Sequence, residues 1–333
     1  MNNKRCFAPL VIHFFKNFAG GAMKILVTGA SGLLGANVAL EAAKAGHMVV
    51  GVSGSKTLRT DAFTALTVDL LDETALRGLV ERVRPEWVIH CAALADLEAC
   101  EKQPGLARRL NGEVPGILAE TCRKGGARQK PARLLHVSTD AVFDGVKGSY
   151  AETDDPNPLS VYAETKLAGE RAVAAADPDA LIARVNLFGF SPGGNRSLGE
   201  FFLYNLMEGK PLKGFTDVYF CPLLVNDIAG IFFKMLELEL AGLYHVFSSE
   251  CVSKYDFGVR IAGRFGLDAG LIEPISFEEF GLSVARSPNL TMVIHKLSTA
   301  LGEPTPALSP MIERFWGLYQ RGYPQELVGL LAG

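Results

Sequence analysis

The sequence predicts an α/β fold, a doubly wound sheet of mostly parallel strands with helices on both faces. Three observations predict it. Short apolar runs alternate with longer segments of helical period. The first run leads straight into three glycines at three-residue spacing, 29, 32 and 35. Later runs end in small or hydroxylic residues, as strands do when a ligand sits at their carboxyl ends.

The elements follow in order. "KILVTGASGLLG" begins with Ile25, Leu26 and Val27, a buried parallel strand. After Gly29, Gly32 and Gly35 comes a helix that ends near Gly46, and "HMVVGV" is the second strand. Glycine is needed here so that the backbone turns tightly, a pyrophosphate approaches and the helix packs on the strand. Free N–H groups at the helix start then hold the phosphates. The expected cofactor contacts at this turn are Gly29, Ser31, Gly32, Leu33, Leu34 and Gly35. The second strand ends in Ser53, followed by Lys56 and Arg59, with no acidic residue. A carboxylate there would hold the ribose 2′-hydroxyl of NAD, so its replacement by cations favours NADP(H), with NAD(H) as the alternative. A solvated loop is the plainer reading of Lys56 and Arg59.

"LTVDLLDE" gives a short strand ending at Asp69 and Leu70, and Asp72 is the better cap for the helix that follows. "PEWVIHCAALAD" gives a fourth strand over Trp87–His90, which runs into Cys91, Ala92 and Ala93. Small residues there admit a cofactor ribose. His90 reads as a strand-end core residue rather than a catalytic one. "PARLLHVSTDAVFDG" is a fifth strand ending in Ser138, Thr139 and Asp140. Past Pro156 and Pro158 a helix starts near Ser160, and Tyr162 and Lys166 share one of its faces at i and i+4. "LIARVNLFGFSPGG" is a sixth strand and a loop.

The glycine turn, Asn111 in the helix after strand four, the hydroxyl at strand five and Tyr-xxx-Lys resemble an extended short-chain dehydrogenase/reductase. More narrowly, "STDAVFDG" and "YAETKLAGE" resemble the dTDP-4-dehydrorhamnose reductase family. The resemblance covers about 23–300. It implies a Rossmann-type domain over 23–185 with a return helix at 226–240. A smaller substrate-binding lobe would be formed by 186–225 and 241–333, and Asp227 would cap the return helix. Asp69 and Leu70 would flank an adenine, and Tyr162 and Lys166 would reach the nicotinamide end.

The chemistry is that of ketone reduction. Hydride transfer leaves an oxyanion that needs a proton. A lysine ammonium about 5 Å from a tyrosine stabilises tyrosinate by roughly 3 kcal/mol, which would bring its pKa down toward working pH. Tyr162 is thus the expected acid, Thr139 the holder of the substrate oxygen, and Lys166 the partner of both the phenol and the cofactor ribose. Asn111 either braces a water leading to Lys166 or caps a local bend. Asp140, Ala141, Asn186, Arg286 and Asn289 are the expected substrate contacts. Two departures from the family stand out. Ala141 replaces an aromatic residue and reshapes the sugar pocket, and Ala163 replaces a glycine. The expected substrate is a nucleotide-linked 4-keto-6-deoxysugar. An epimerase or dehydratase is one alternative; an NADP-binding regulatory subunit of methionine adenosyltransferase is another.

A formal net charge of −3, with both signs spread along the chain, gives no reason to propose nucleic acid or an anionic membrane as partner. The six scattered cysteines contain no CxxC and read as reduced thiols of a cytoplasmic protein, without a metal site. Residues 1–22 read as an upstream start or disordered extension; a signal peptide and an interface arm are the other readings. The resemblance also implies a homodimer through the helices at 103–125 and 160–176.

Overall fold

The computed structural model describes residues 21–125, 130–277 and 287–331. Most of the N-terminal extension, the tip of the basic loop after Lys124, and Arg286 therefore lie outside the described residues.

Six strands, β1 (Lys24–Thr28), β2 (Met48–Ser53), β3 (Thr64–Thr67), β4 (Trp87–His90), β5 (Arg133–Thr139) and β6 (Leu181–Val185), form a parallel sheet in the order β6-β5-β4-β1-β2-β3. The order reverses between β1 and β4, whose carboxyl ends open the crevice where such sheets bind ligands. β1, β4 and β6 are buried almost throughout, as near-continuous apolar runs require.

Helices cover both faces. On one face lie α1 (Leu33–Lys44) and the return helix, Val225–Glu237, in contact with each other. On the other lie α2 (Glu73–Val83), then, after the short segments α3 (Leu97–Lys102) and α4 (Pro104–Ala107), α5 (Val114–Lys124) and α6 (Val161–Ala176). Each face has its own apolar cluster, one around Ile25, Val27 and Phe232, the other around Leu26, Leu79 and Leu118. Two helix starts on this face are read correctly from local chemistry. Asp72 caps α2 through the Ala75 N–H at 3.1 Å, and Ser160 caps α6 through the Ala163 N–H at 3.3 Å.

The C-terminal half is more interleaved than the expected division. A seventh strand, Gly242–Val246, pairs parallel with β6 and becomes the edge of the main sheet. The helices Leu308–Gln320 and Tyr323–Gly329 return to the α1 face, where Tyr323 Oη donates to Asn37 Oδ1 at 2.8 Å. Asp227 does not cap the return helix, which begins at Val225 behind Leu224. It lies half-buried inside the first turn and pairs with Arg314, so a long-range ion pair has taken the place of a local cap.

The smaller lobe consists of the helices Leu198–Met207 and Lys254–Phe265 with short strands. One three-stranded sheet joins Val252–Ser253, Tyr219–Phe220 and Asn289–Leu290. Here the expectation of reduced thiols fails for two of the cysteines. Phe220 and Val252 are antiparallel partners, so Cys221 and Cys251 meet just beyond them and form a disulfide with Cα atoms 4.1 Å apart. Cys91, Cys100 and Cys122 are free. Among the described residues, no helix is long and apolar enough to cross a membrane, and no cluster of metal-ligating side chains occurs.

Candidate functional site

The crevice between β1 and β4 opens into two contiguous cavities of about 260 and 830 Å³, which share Gly29, Ser31, Gly32, Cys91 and Ala93. The smaller runs to Asp69, Leu70 and Ala92. The larger runs from Leu33, Leu34, Gly35 and Lys56 to Thr139, Asp140, Tyr162, Lys166 and Asn186.

The glycine turn is built by steric need. Gly29 has φ +70°, and a Cβ on it would stand 2.7 Å from the Ala92 backbone nitrogen. A Cβ on Gly35 would stand 2.3 Å from the Gly29 carbonyl oxygen. At Gly32 the only near atom is that same oxygen, at 3.2 Å, and the rest of its surface is the cavity. Gly32 heads α1 without a side-chain cap, so the first-turn N–H groups face the cavity unshared by any cap. A cradle that Cβ atoms would fill, with a helix dipole aimed into it, fits a dinucleotide pyrophosphate.

Residues at the adenosine side divide. Lys56 is exposed and lines the larger cavity. Ser53 is buried and spends its hydroxyl on the Lys56 carbonyl, which shapes the loop. Arg59 is exposed, lies outside both cavity walls and is tied by its backbone N–H to the Leu330 carbonyl at 2.9 Å. Asp69 Oδ1 accepts from the Leu71 N–H at 2.9 Å, which fixes the end of the smaller cavity.

At the other end, β5 and α6 meet across a polar layer. Lys166 is buried and donates to the Val137 carbonyl at 2.7 Å, with His136 Nε2 at 3.5 Å. One turn on, Glu170 accepts from Ser138 and, through both carboxylate oxygens, from Arg184 at 2.9 and 2.7 Å. Arg184 reaches His245 Nε2 at 3.5 Å. Gly169 lets α6 approach a different neighbour, the segment Arg108–Glu113, since a Cβ there would lie 2.2 Å from the Asn111 carbonyl oxygen. Under Lys166, His136 stacks on His90 at 5.4 Å, and His90 Nδ1 is 2.7 Å from Thr28 Oγ1. Burial, helped by the Lys166 charge, pushes the pKa of His90 down to about 3, so this pair is neutral.

Burial also lowers the Lys166 ammonium to about 8, against the Glu170 charge that holds it up. The expected lowering of the Tyr162 pKa is not what the structure shows. Burial pushes it up to about 12, and the Asp140 carboxylate and Cys100 add to the rise, against a hydrogen bond with Thr139. Lys166 donates to Val137 instead, and a phenolate beside the Asp140 carboxylate is disfavoured.

Asn111 lies in a π-helical turn, Arg108–Glu113. Its Oδ1 accepts from the Leu94 N–H at 2.8 Å, and its Nδ2 donates to the Leu94 carbonyl at 3.0 Å and to Thr165 Oγ1 at 3.2 Å. The amide thus holds the loop after β4 against α6. Asp140 and Asn186 meet at 2.6 Å on the cavity wall. Ala141 is half-buried beside them, outside the residues that line the cavity. Asn289 Oδ1 accepts from Thr291 at 2.9 Å, and Asn289 packs on Gly148, away from both cavities.

One wall was not anticipated. Pro192, Gly193, Asn195 and Arg196 close the larger cavity from the small lobe. Their loop is wrapped on the buried carboxylate of Glu200, which accepts from the Ser191, Arg196 and Ser197 N–H groups at 2.6, 2.9 and 3.2 Å. The signal in the sequence was the box "SLGE", a serine followed three residues later by a glutamate.

A dinucleotide cradle joined through one cavity to a helical Tyr-xxx-Lys and a strand-end threonine defines an extended short-chain dehydrogenase/reductase. Comparison with known proteins narrows this. Residues 23–320 match the family described as the RmlD substrate binding domain, and the chain belongs to it. The chain is 34% identical over 290 residues to the probable low-salt glycan biosynthesis reductase of Haloferax volcanii, covering 86% of this chain and 95% of that one. It is 31% identical over 306 residues to methionine adenosyltransferase 2 subunit beta of Danio rerio, covering 88% and 90%. Among solved structures, dTDP-4-dehydrorhamnose reductase from Bacillus anthracis in complex with NADP superimposes with a TM-score of 0.75 at 25% identity, covering 89% of this chain and 99% of that one.

Proposed function

We propose that this protein reduces the ketone of a nucleotide-linked 4-keto-6-deoxysugar, as a dTDP-4-dehydrorhamnose reductase does, with NADP(H) preferred and NAD(H) as the alternative. The observation that carries the reading is the meeting of Thr139, Tyr162 and Lys166 on the cavity that begins at the glycine turn. The bound reduced nicotinamide supplies the hydride. The chain's own residues do the rest. Gly29, Gly32 and the start of α1 hold the pyrophosphate, and Lys56, with no carboxylate at the end of β2, suits a 2′-phosphate.

Tyr162 gives its proton to the carbonyl oxygen. A phenol held near pKa 12 keeps that proton at neutral pH until the developing oxyanion, a far stronger base, calls for it. Lys166, brought down to about 8, can both carry a proton and release one, and so reset the phenol. Asp140 and Asn186 face the sugar hydroxyls. A homodimer through α5 and α6 belongs to the same reading.

The rival reading is a cofactor-binding regulatory subunit, favoured by the 31% identity to methionine adenosyltransferase 2 subunit beta. The purified protein, mixed with NADPH and a panel of dTDP- and UDP-4-keto sugars, separates the two by absorbance at the reduced-nicotinamide band. Consumption with one sugar is expected. Tight NADPH binding with no consumption by any sugar would overturn the reductase and leave the binding role. Tyr162→Phe should lower turnover by about 10³-fold while NADPH affinity, read by fluorescence, stays within about twofold. An active variant would remove Tyr162 as the acid.

A further inference from the structure

The disulfide of the small lobe joins two unlike cysteines. Cys221 is fully buried, and its Sγ accepts from the Met292 N–H at 3.3 Å. Cys251 is half-buried, just before the strand Val252–Ser253. A thiolate that comes from solvent therefore meets Cys251 first. Exchange needs attack on one sulfur and departure of the other as a thiolate. Attack at Cys251 makes Cys221 the leaving group, and a hydrogen bond from a backbone N–H favours the charged form of that sulfur. The bond is thus reachable at one end, with a stabilised leaving group at the other.

The same bond is tied to the substrate side of the cleft. Two residues after Cys221, the Leu223 N–H donates to the Asn186 carbonyl at 2.9 Å. The Asn186 side chain donates to Asp140 Oδ2 at 2.6 Å, and both residues line the larger cavity. Cys221 itself packs in an apolar cluster with Val142, Phe143, Leu167 and Met292. Beyond Cys251, the Lys254 N–H donates to the Val218 carbonyl at 3.0 Å. The disulfide therefore closes a frame, 218–223 against 251–254, behind the wall that Asn186 and Asp140 form.

We propose that Cys251 is a site of thiol–disulfide exchange with a dithiol, and that opening the Cys221–Cys251 bond loosens the Asn186 wall and leaves the glycine turn unchanged. One thiolate of the dithiol bonds to Cys251 Sγ. The S–S bond breaks with its electron pair on Cys221 Sγ, which takes a proton. The second thiolate of the dithiol then displaces Cys251 Sγ, which takes the other proton. The dithiol ends as its own disulfide, and the protein gains two thiols. Those sulfurs must then move apart to van der Waals contact, which releases 221–223 from the frame. Reducing surroundings hold the bond open and oxidising ones hold it closed. The consequence for a sugar substrate rests on the reductase reading; the exchange and the loosening do not.

The test treats the whole protein with dithiothreitol in the absence of denaturant. Thiols are then alkylated in urea and located by peptide mass. Cys221 and Cys251 should be protected before the treatment and alkylated after it. A bond that opens only when urea is present during reduction, or two cysteines alkylated from the start, would overturn the proposal. With cysteamine, a monothiol, the trapped adduct should sit on Cys251; an adduct on Cys221 would overturn the direction of attack. Hydrogen exchange reads the wall. After reduction the Leu223 amide should exchange about tenfold faster, while 28–36 stays within about twofold. An unchanged Leu223 amide would overturn the link to Asn186. Cys221→Ala/Cys251→Ala should show the fast exchange without reductant and ignore dithiothreitol. In the turnover assay, reduction should raise the KM of the sugar about threefold and leave that of NADPH unchanged. If no sugar is reduced, the reductase reading alone fails, because alkylation and hydrogen exchange need no substrate.

Discussion

The two ends of the cleft are made from different materials. The glycine end recognises with backbone. Its shape comes from Gly29 at φ +70°, Gly35 lying against the Gly29 carbonyl, and an uncapped α1, all within about a dozen residues. The tyrosine end recognises with side chains. Lys166, Glu170, Arg184 and Asp140 are all at most 5% exposed, and they come from α6, β6 and the turn that follows β5. A backbone cradle buries no unpaired charge. A buried side-chain cluster must compensate the desolvation of every charge it holds. The binding end can therefore be specified locally, whereas the chemical end depends on elements that are brought together from distant parts of the chain.

The sharpest way to break this contrast is Glu170→Gln. It removes the charge that both prongs of Arg184 use and leaves that guanidinium buried at 2% exposure. The expected loss is about 3–5 kcal/mol in urea unfolding. A loss below about 1 kcal/mol would mean that the tyrosine end is as self-contained as the glycine end.

A pair of glycine variants sharpens the comparison from the other side. Gly29→Ala meets both a positive φ and the Ala92 backbone at 2.7 Å, so it should lower stability by about 2 kcal/mol and weaken NADPH as well. Gly32→Ala meets only the Gly29 oxygen at 3.2 Å and otherwise projects into the cavity. It should cost less than about 1 kcal/mol of stability yet weaken NADPH about tenfold or more. Thermal denaturation and fluorescence titration of both variants would read the two effects. Equal losses of stability would show that this turn is not divided into a structural and a ligand-facing glycine.

The same division explains what could be read from the sequence. β1 to β6, the caps Asp72 and Ser160, the glycine turn and the Tyr162–Lys166 face all follow from patterns a few residues long. The edge strand Gly242–Val246 was missed. Only its pairing with Leu181–Val185, some sixty residues earlier, makes a strand of so short a run. Asp227 had the look of a cap until Arg314 arrived from the last third of the chain. Cys221 and Cys251 share no motif, and their bridge exists because Phe220 and Val252 are cross-strand partners. The Tyr162 pKa was misjudged because spacing shows Lys166 on the right face but not the burial and the neighbouring Asp140 that push the phenol up. Each miss is a contact between residues far apart in the chain, which local periodicity does not encode.

The one expected gain in stability concerns Asp140 and has a definite sign. Its folded carboxyl is raised to about 6 by burial, above the ordinary 3.8, so in this window the folded state binds more protons than the unfolded one. The folded state is therefore fully favoured below about pH 4, and that favour is lost as pH rises through 6. Above pH 6 the protein carries the cost of a buried carboxylate, on the order of 2–3 kcal/mol for a shift of this size. Asp140→Asn keeps the shape and removes that cost, provided the Asn186 amide turns its oxygen to the new N–H. The variant should unfold about 2 kcal/mol later than wild type at pH 8 and within about 0.5 kcal/mol of it at pH 4, by urea titration at both pH values. A variant equally or less stable at pH 8 would mean that Asn186, Thr139 and Lys254 fully compensate the carboxylate. The chemical end would then hold its charges as cheaply as the glycine end holds its backbone.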